Sequence, residues 1–126
     1  MICKSTVIEL MEIINKIREA NKIVIVEGRE DKIALKKLGI SNIIQLNKNP
    51  MYVVVEECIS RGEDVIILTD LDKKGKELYG KLNHDLQRFG VKVDNRLREF
   101  LFRNTKLRQI EGLSNYIDRR LKFNAI

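Results

Sequence analysis

The chain has 126 residues, of which 44% are hydrophobic, 33% are charged and one is proline; this size and composition fit one folded domain and exclude a multidomain machine. Lys and Arg exceed Asp and Glu by 24 to 18, and the resulting net charge of +6 favours a phosphate-bearing partner such as nucleic acid. Cys3, Cys58 and the single histidine, His84, are too few for a zinc site, which needs about four N or S ligands.

The first 20 residues predict an amphipathic helix. Val7, Leu10, Ile14 and Ile17 recur at the spacing of one helical face, with acids and bases between them. A signal peptide or a membrane span needs an uninterrupted apolar run, which this segment lacks. We therefore predict a cytoplasmic protein with reduced thiols and no membrane contact.

Two runs of consecutive aliphatic residues predict strands that are buried on both faces. The first run, 23–26, is followed by Glu27, and the second run, 65–70, ends at Asp70. A helix (29–38), a shorter strand (40–46) and a second helix (51–60) lie between them, and a helix (74–89) and a short strand (91–93) follow. This alternation predicts a Rossmann-like α/β fold with about four parallel strands flanked by helices. If the sheet order is 2-1-3-4, the first and third strands are neighbours.

The C-terminal third carries the whole positive excess. Residues 1–85 contain 14 basic and 14 acidic residues, whereas residues 86–126 contain 10 basic and 4 acidic ones. We expect one domain over 1–126, with an N-terminal helix (1–20), a core (21–94) and a basic helical extension (95–126). This surface suits nucleic acid, although anionic lipid or simple solubility would explain it too. The expected nucleic-acid contacts are Arg29, Arg96, Arg98, Arg103, Lys106 and Arg108.

Acidic residues follow the two buried strands. In an open parallel sheet, ligands bind beyond the carboxyl ends of the strands, so we expect Glu27, Asp70 and Asp72 to share one crevice. Carboxylate oxygens favour a hard cation, magnesium or else manganese. Lys73 and Lys74 would hold a phosphate beside it, or would only solvate the helix. Local structure offers another explanation for the acids, because Asp residues at such junctions are often turn formers and helix caps.

Two motifs, Val26–Asp31 and Thr69–Gly75, resemble the signature motifs of the Toprim family, which acts on nucleic acids. The version in this chain is most similar to the ribosomal-RNA maturase-like ribonucleases and their small archaeal relatives. The resemblance implies that Glu27 is the general acid/base and that Asp70 and Asp72 are magnesium ligands; the strand-end pattern adds Glu27 as a third ligand. It also implies that Gly28 and Gly75 are structural glycines, and that Asp31 supports the site or only favours the helix end.

The predicted function is hydrolysis of a nucleic-acid phosphodiester bond, with RNA favoured over DNA on the resemblance alone. Water attacks phosphorus, magnesium stabilises the developing charge and Glu27 moves a proton. The chain has no room for the tyrosine module of a topoisomerase or the zinc module of a primase. Two alternatives stay open: a non-catalytic binding module, alone or as a subunit of a larger complex, and a phosphotransferase, whose nucleophilic Asp would stand where Glu27 stands. A homodimer is also left open.

Overall fold

Three parallel strands form the centre of the fold. The computed structural model describes residues 4–124, with side chains for 6–122, so Cys3 and Phe123 lie outside the described side chains. The elements in chain order are α1 (Lys4–Ala20), β1 (Ile23–Val26), α2 (Arg29–Lys37), β2 (Ile43–Gln45), a 3₁₀ turn (Leu46–Lys48), α3 (Met51–Arg61), β3 (Val65–Ile67), α4 (Lys73–Arg88), α5 (Arg96–Asn104), a second 3₁₀ turn (Ile110–Gly112) and α6 (Leu113–Asn124). The sheet order is β2-β1-β3, and β1 pairs in parallel with both neighbours. The predicted α/β class is confirmed.

The strands are apolar throughout because helices cover both faces of the sheet. All four residues of β1 are buried, and successive side chains of a strand point to opposite faces. Val24 and Val26 face a core shared with α1, α5 and α6, whereas Ile23 and Ile25 face a second core shared with α3 and α4. The run of consecutive aliphatic residues is thus the signature of a strand with two buried faces.

The predicted fourth strand is wrong. Segment 91–93 makes one isolated bridge, between Val93 and Val65. The amide of Val65 donates to the Lys92 carbonyl at 2.9 Å, and the amide of Asp94 donates to the Val65 carbonyl at 2.8 Å. Helix α5 begins at Arg96, so the chain turns away before a longer ladder forms. The bridge lies beside β3, on the side where the order 2-1-3-4 places it.

The third strand is shorter than predicted and ends at Ile67. The amide of Leu68 still donates to the Ile25 carbonyl at 2.7 Å. The carbonyls of Thr69 and Asp70 instead accept hydrogen bonds from the Arg98 guanidinium, at 2.6 and 3.0 Å. The strand ends because a side chain from α5 takes the backbone groups that a neighbouring strand would otherwise use.

The basic C-terminal extension is helical, as predicted, and it packs onto the sheet. Leu97 and Leu101 of α5 and Leu113 and Ile117 of α6 are each 1% exposed or less. Most of the charged residues on these two helices, such as Arg96, Glu99, Asp118 and Arg119, are exposed, as in amphipathic helices. No helix between residues 4 and 124 combines the length and the apolar character needed to cross a bilayer.

Gly75 is required by the close approach of α4 to the preceding loop. A Cβ atom on Gly75 would lie 1.9 Å from the Asp70 carbonyl oxygen and 2.4 Å from its carbonyl carbon. The Gly75 carbonyl also accepts the Thr69 hydroxyl at 2.6 Å. Gly28 differs, since its φ of −148° is ordinary and the nearest atom to a Cβ there is Asn47 Nδ2 at 3.4 Å. Of the two expected structural glycines, only Gly75 shows a steric need for glycine.

We expect Gly75→Ala to lower the free energy of unfolding by about 3 kcal/mol, because the new methyl group meets backbone atoms that cannot rotate away. Gly80→Ala is the matched control on the same helix, since no atom lies within 4 Å of a Cβ there; it should raise stability by about 0.5–1 kcal/mol. Equilibrium urea denaturation followed by circular dichroism measures both. Equal effects of the two substitutions would contradict the steric argument.

Candidate functional site

Glu27 and Asp70 meet at the carboxyl end of the sheet. Glu27 directly follows β1, and its Oε2 accepts a hydrogen bond from the Asp70 amide at 2.7 Å. The Glu27 carbonyl accepts the Asn47 amide at 3.0 Å, which extends the pairing of β1 with the chain after β2. Both side chains are half-buried. Adjacent strands thus bring two of the predicted site residues into direct contact across 43 positions of sequence.

The Asp70 loop is held from the C-terminal side of the chain. Asp70 Oδ1 accepts the Ile110 amide at 2.9 Å, and the Leu71 amide donates to the Arg108 carbonyl at 2.7 Å. These two bonds fasten segment 108–110 against the loop. The basic extension is therefore a wall of the site, which its sequence pattern did not indicate.

Asp72 serves as the N-cap of α4. Its Oδ1 accepts the Gly75 amide at 2.8 Å, and its side chain is exposed. This is the helix-cap explanation that the sequence left open. Asp72 makes no hydrogen bond to Glu27 or Asp70 in the described structure, so the cap directs it to the helix and not to its neighbours.

The three predicted ligands do not form a compact cluster. Within the described part of the chain, no three His, Cys, Asp or Glu residues stand close enough to hold a metal ion. Magnesium, however, is commonly bound by one or two carboxylates, with water and substrate phosphates as the remaining ligands. Glu27 and Asp70 fit this mode, because one oxygen of each has no hydrogen-bond partner among the described residues.

Arg98 is not a surface residue, and the expectation that it contacts nucleic acid is corrected. It is 7% exposed and holds the Thr69 and Asp70 carbonyls. Its guanidinium lies 4.6 Å from the centre of the Tyr79 ring. Burial lowers the pKa of Arg98, while Tyr79, Glu27 and Asp70 oppose that shift. Its place on the helix, next to Leu97 and Leu101 on the buried face, is the sequence signal that would have revealed this role.

Asp31 is a buried carboxyl group beside the site. It is 7% exposed, and its Oδ2 accepts the Gly28 amide at 3.1 Å in the first turn of α2. Burial raises the pKa of Asp31 to about 6; the Gly28 hydrogen bond opposes the shift, and the charges of Asp70, Glu27 and Glu111 add to it. Glu111 was missed by sequence reasoning, because nothing local in the 3₁₀ turn indicates that it lies near α2.

Basic side chains surround the loop, and most of the predicted contacts are exposed. Lys73 and Lys74 occupy the first turn of α4, and Arg29 is the first residue of α2. A cavity of about 440 Å³ next to the loop is lined by Asp72, Lys106, Leu107, Arg108, Gln109, Glu111 and Gly112. Arg96 instead pairs with Asp94 at 3.9 Å. Of the exposed cations, Lys106 and Arg108 line this cavity together with Asp72.

Asp31→Asn should stabilise the metal-free protein at high pH only. Folding raises the pKa of Asp31 from 3.8 to about 6, so the protonated carboxyl group favours the folded state over the unfolded state. This stabilisation is fully present below about pH 4 and is lost as the pH rises through about 6. Asparagine keeps an oxygen for the Gly28 amide but carries no charge. We expect the variant to gain about 2–3 kcal/mol over the wild type at pH 8 and nothing at pH 4.

Urea denaturation in EDTA at both pH values measures this difference. Asp118→Asn, at an exposed position of α6, is the control and should match the wild type at both. A gain for Asp31→Asn that is the same at pH 4 and pH 8 would show that the charge of Asp31 is not its cause.

Comparison with known proteins assigns the chain to a family. The Toprim domain model matches residues 21–95, a span that contains both strand-end motifs. A UPF0292 protein from Methanocaldococcus jannaschii is 35% identical over 119 residues, covering 90% of this chain and 93% of the relative. A UPF0292 protein from Pyrococcus abyssi is 43% identical over 115 residues, covering 88% and 86%.

A solved structure agrees with these matches. A protein from Aquifex aeolicus has a TM-score of 0.74 with this chain at 33% identity, over 82% of this chain and 94% of that protein. Both the predicted resemblance and the expected small archaeal relatives are therefore confirmed. The chain belongs to the Toprim family, and its function relates to nucleic acids.

Proposed function

We propose that this chain hydrolyses phosphodiester bonds in nucleic acid, RNA in preference to DNA, with magnesium, or manganese in its place, held at Glu27 and Asp70. The observation that carries the proposal is the 2.7 Å hydrogen bond from the Asp70 amide to Glu27 Oε2. It joins the two Toprim motifs at the edge of the sheet where ligands of open α/β folds bind. The preference for RNA rests on the resemblance to the maturase-like ribonucleases.

Glu27 is the proposed general acid/base. One oxygen is anchored by the Asp70 amide, which orients the carboxylate and leaves its second oxygen to exchange a proton with water or with the leaving group. Magnesium, when bound, supplies positive charge against the charge that develops on the phosphate oxygens. Asp70 holds its carboxylate in place through the Ile110 amide. Asp72 would help to hold the ion with its second carboxylate oxygen, since its Oδ1 caps α4.

The phosphate chain is placed by the surrounding cations. Lys73 and Lys74 lie at the N-terminus of α4, where the helix dipole adds to their charge. Arg103, Lys106 and Arg108 are exposed on the wall formed by the extension. Asp31 and Gly28 support the turn that positions Glu27. We propose that residues 1–126 act as one Toprim unit in the cytoplasm.

The second candidate is a binding module without catalysis, acting alone, as a homodimer or within a larger complex. The specific observation in its favour is that the carboxylates of the described chain do not gather as a group of three. Such a module would use the same cations but would leave bound nucleic acid intact. The two candidates differ in whether Glu27 matters for turnover.

Glu27→Gln should lower the rate of magnesium-dependent cleavage of structured RNA by at least about 100-fold, the usual contribution of a general acid/base. Glutamine keeps an oxygen for the Asp70 amide, so the fold and the binding of RNA should be retained. Glu30→Gln, which neutralises an exposed residue in the first turn of α2, is the matched control and should cleave at the wild-type rate. Gel assays of end-labelled RNA and DNA measure both rate and preference.

Three outcomes separate the candidates. RNA bound but not cleaved by any version of the protein would replace the nuclease with the binding module. Cleavage that is equal in Glu27→Gln and the wild type would remove Glu27 from the mechanism. Hydrolysis of small phosphomonoesters in place of RNA would point to the phosphotransferase class.

A further inference from the structure

Phe102 is an exposed aromatic ring with two cations above it. Its side chain is 44% exposed, although the neighbouring Phe100 is 8% exposed and packs in the core. The Lys76 ammonium lies 4.5 Å from the centre of the Phe102 ring, and the Arg108 guanidinium carbon lies 5.1 Å from it. An aromatic ring on the surface among cations is the composition of a nucleic-acid stacking platform, whereas a core ring would be covered by aliphatic side chains.

The cations around Phe102 are not neutralised by the protein. Among the side chains of residues 6–122, the salt bridges involve Lys22, Arg61 and Arg96, and none involves Lys76, Arg103, Lys106 or Arg108. Cations that form no salt bridge keep their attraction for a phosphate chain, and binding then releases the counterions of that chain. The surface therefore offers phosphate binding and base stacking at the same place.

Phe102 also lies beside the Asp70 loop. A cavity of about 380 Å³ is lined by Leu71, Lys76, Tyr79, Asn95, Arg98, Glu99, Phe102 and Arg103, and Leu71 stands between Asp70 and Asp72. The second cation, Arg108, belongs to the segment whose carbonyl accepts the Leu71 amide at 2.7 Å. The ring and its cations thus border the loop from α4, from α5 and from the segment before α6.

We propose that Phe102 stacks on an unpaired base next to the phosphate that occupies the Glu27 and Asp70 site, so that the substrate is single-stranded at that position. The inference rests on the proposed function for the nature of the substrate, and it adds the strand state that the site selects. Lys76 and Arg108 would hold the flanking phosphates while the base lies on the exposed part of the ring. A base in a duplex is stacked and paired already, so its face is not available to Phe102.

The test compares Phe102→Leu with Phe89→Leu. Leucine keeps an apolar side chain but has no ring face. Phe89 is the matched control, because it is 57% exposed with the Arg88 guanidinium carbon 5.5 Å from its ring centre. It follows the last residue of the 16-residue helix α4, about 24 Å from the end that carries Asp72. Fluorescence anisotropy with a labelled single-stranded RNA and with a blunt duplex of the same sequence measures affinity.

In EDTA, where no cleavage intervenes, Phe102→Leu should weaken single-strand binding by about 5- to 100-fold and leave duplex binding within twofold. Its salt dependence should equal that of the wild type, because no charge is removed. Phe102→Tyr should bind like the wild type, and Phe89→Leu should too. Thermal melting of each variant checks that it is folded. We expect all of them to fold, because both rings are exposed and little buried surface is lost.

Several results would overturn the inference. Single-strand binding by Phe102→Leu within twofold of the wild type would remove the stacking role. If Phe102→Leu lost affinity equally for single-stranded and duplex RNA, the ring would not select single strands. Wild-type protein that bound neither RNA would also contradict the inference. Since the assay needs no turnover, a Phe102-dependent preference without any Glu27-dependent cleavage would uphold this inference while the proposed hydrolysis failed.

Discussion

The site depends on one hydrogen bond, between the Glu27 carboxylate and the Asp70 amide. It spans the gap between two neighbouring strands at the point where both leave the sheet. A charge-assisted bond of this kind is stronger than one between neutral groups, and it holds a carboxylate near a second carboxylate despite their repulsion. The parallel pairing of β1 with β3 decides which residues face each other at the strand ends. This pairing brings the two Toprim motifs together, and the hydrogen bond then fixes their geometry.

Helix α4 and the C-terminal extension hold the loop from two sides. Gly75 lets the first turn of α4 touch the Asp70 backbone, and Arg98 binds the adjacent carbonyls from the opposite helix. The amide of Ile110 then binds the Asp70 side chain itself. The extension therefore orients the Asp70 carboxylate and supplies the basic wall beside it. Removing it would expose the apolar faces of α1 and β1 and would release the loop as well.

Charges of opposite sign are divided between the inside and the rim of the site. Asp31 is buried, and Glu27 and Asp70 are half-buried. Burial raises the pKa of Asp31, and the charges of Asp70, Glu27 and the exposed Glu111 add to this effect. The cations Lys73, Lys74, Lys106 and Arg108 lie outside them and are exposed. An ion with two positive charges would relieve the inner repulsion, and a phosphate chain would cover the outer cations. This division of charge supports the proposed binding of a metal ion together with a nucleic acid.

The sequence by itself determined the periodic features and the family of the chain. Consecutive aliphatic residues specify strands buried on both faces, apolar residues at helical spacing specify the helices, and the two acidic motifs are recognisable from their residues alone. Only the tertiary structure decided that segment 91–93 forms a single bridge, that Asp72 caps α4, that Arg98 is buried and that Glu111 joins the acidic group. The physical reason is that periodicity and motif chemistry are local properties, whereas the partner of each side chain depends on contacts between segments as far apart as residues 70 and 110.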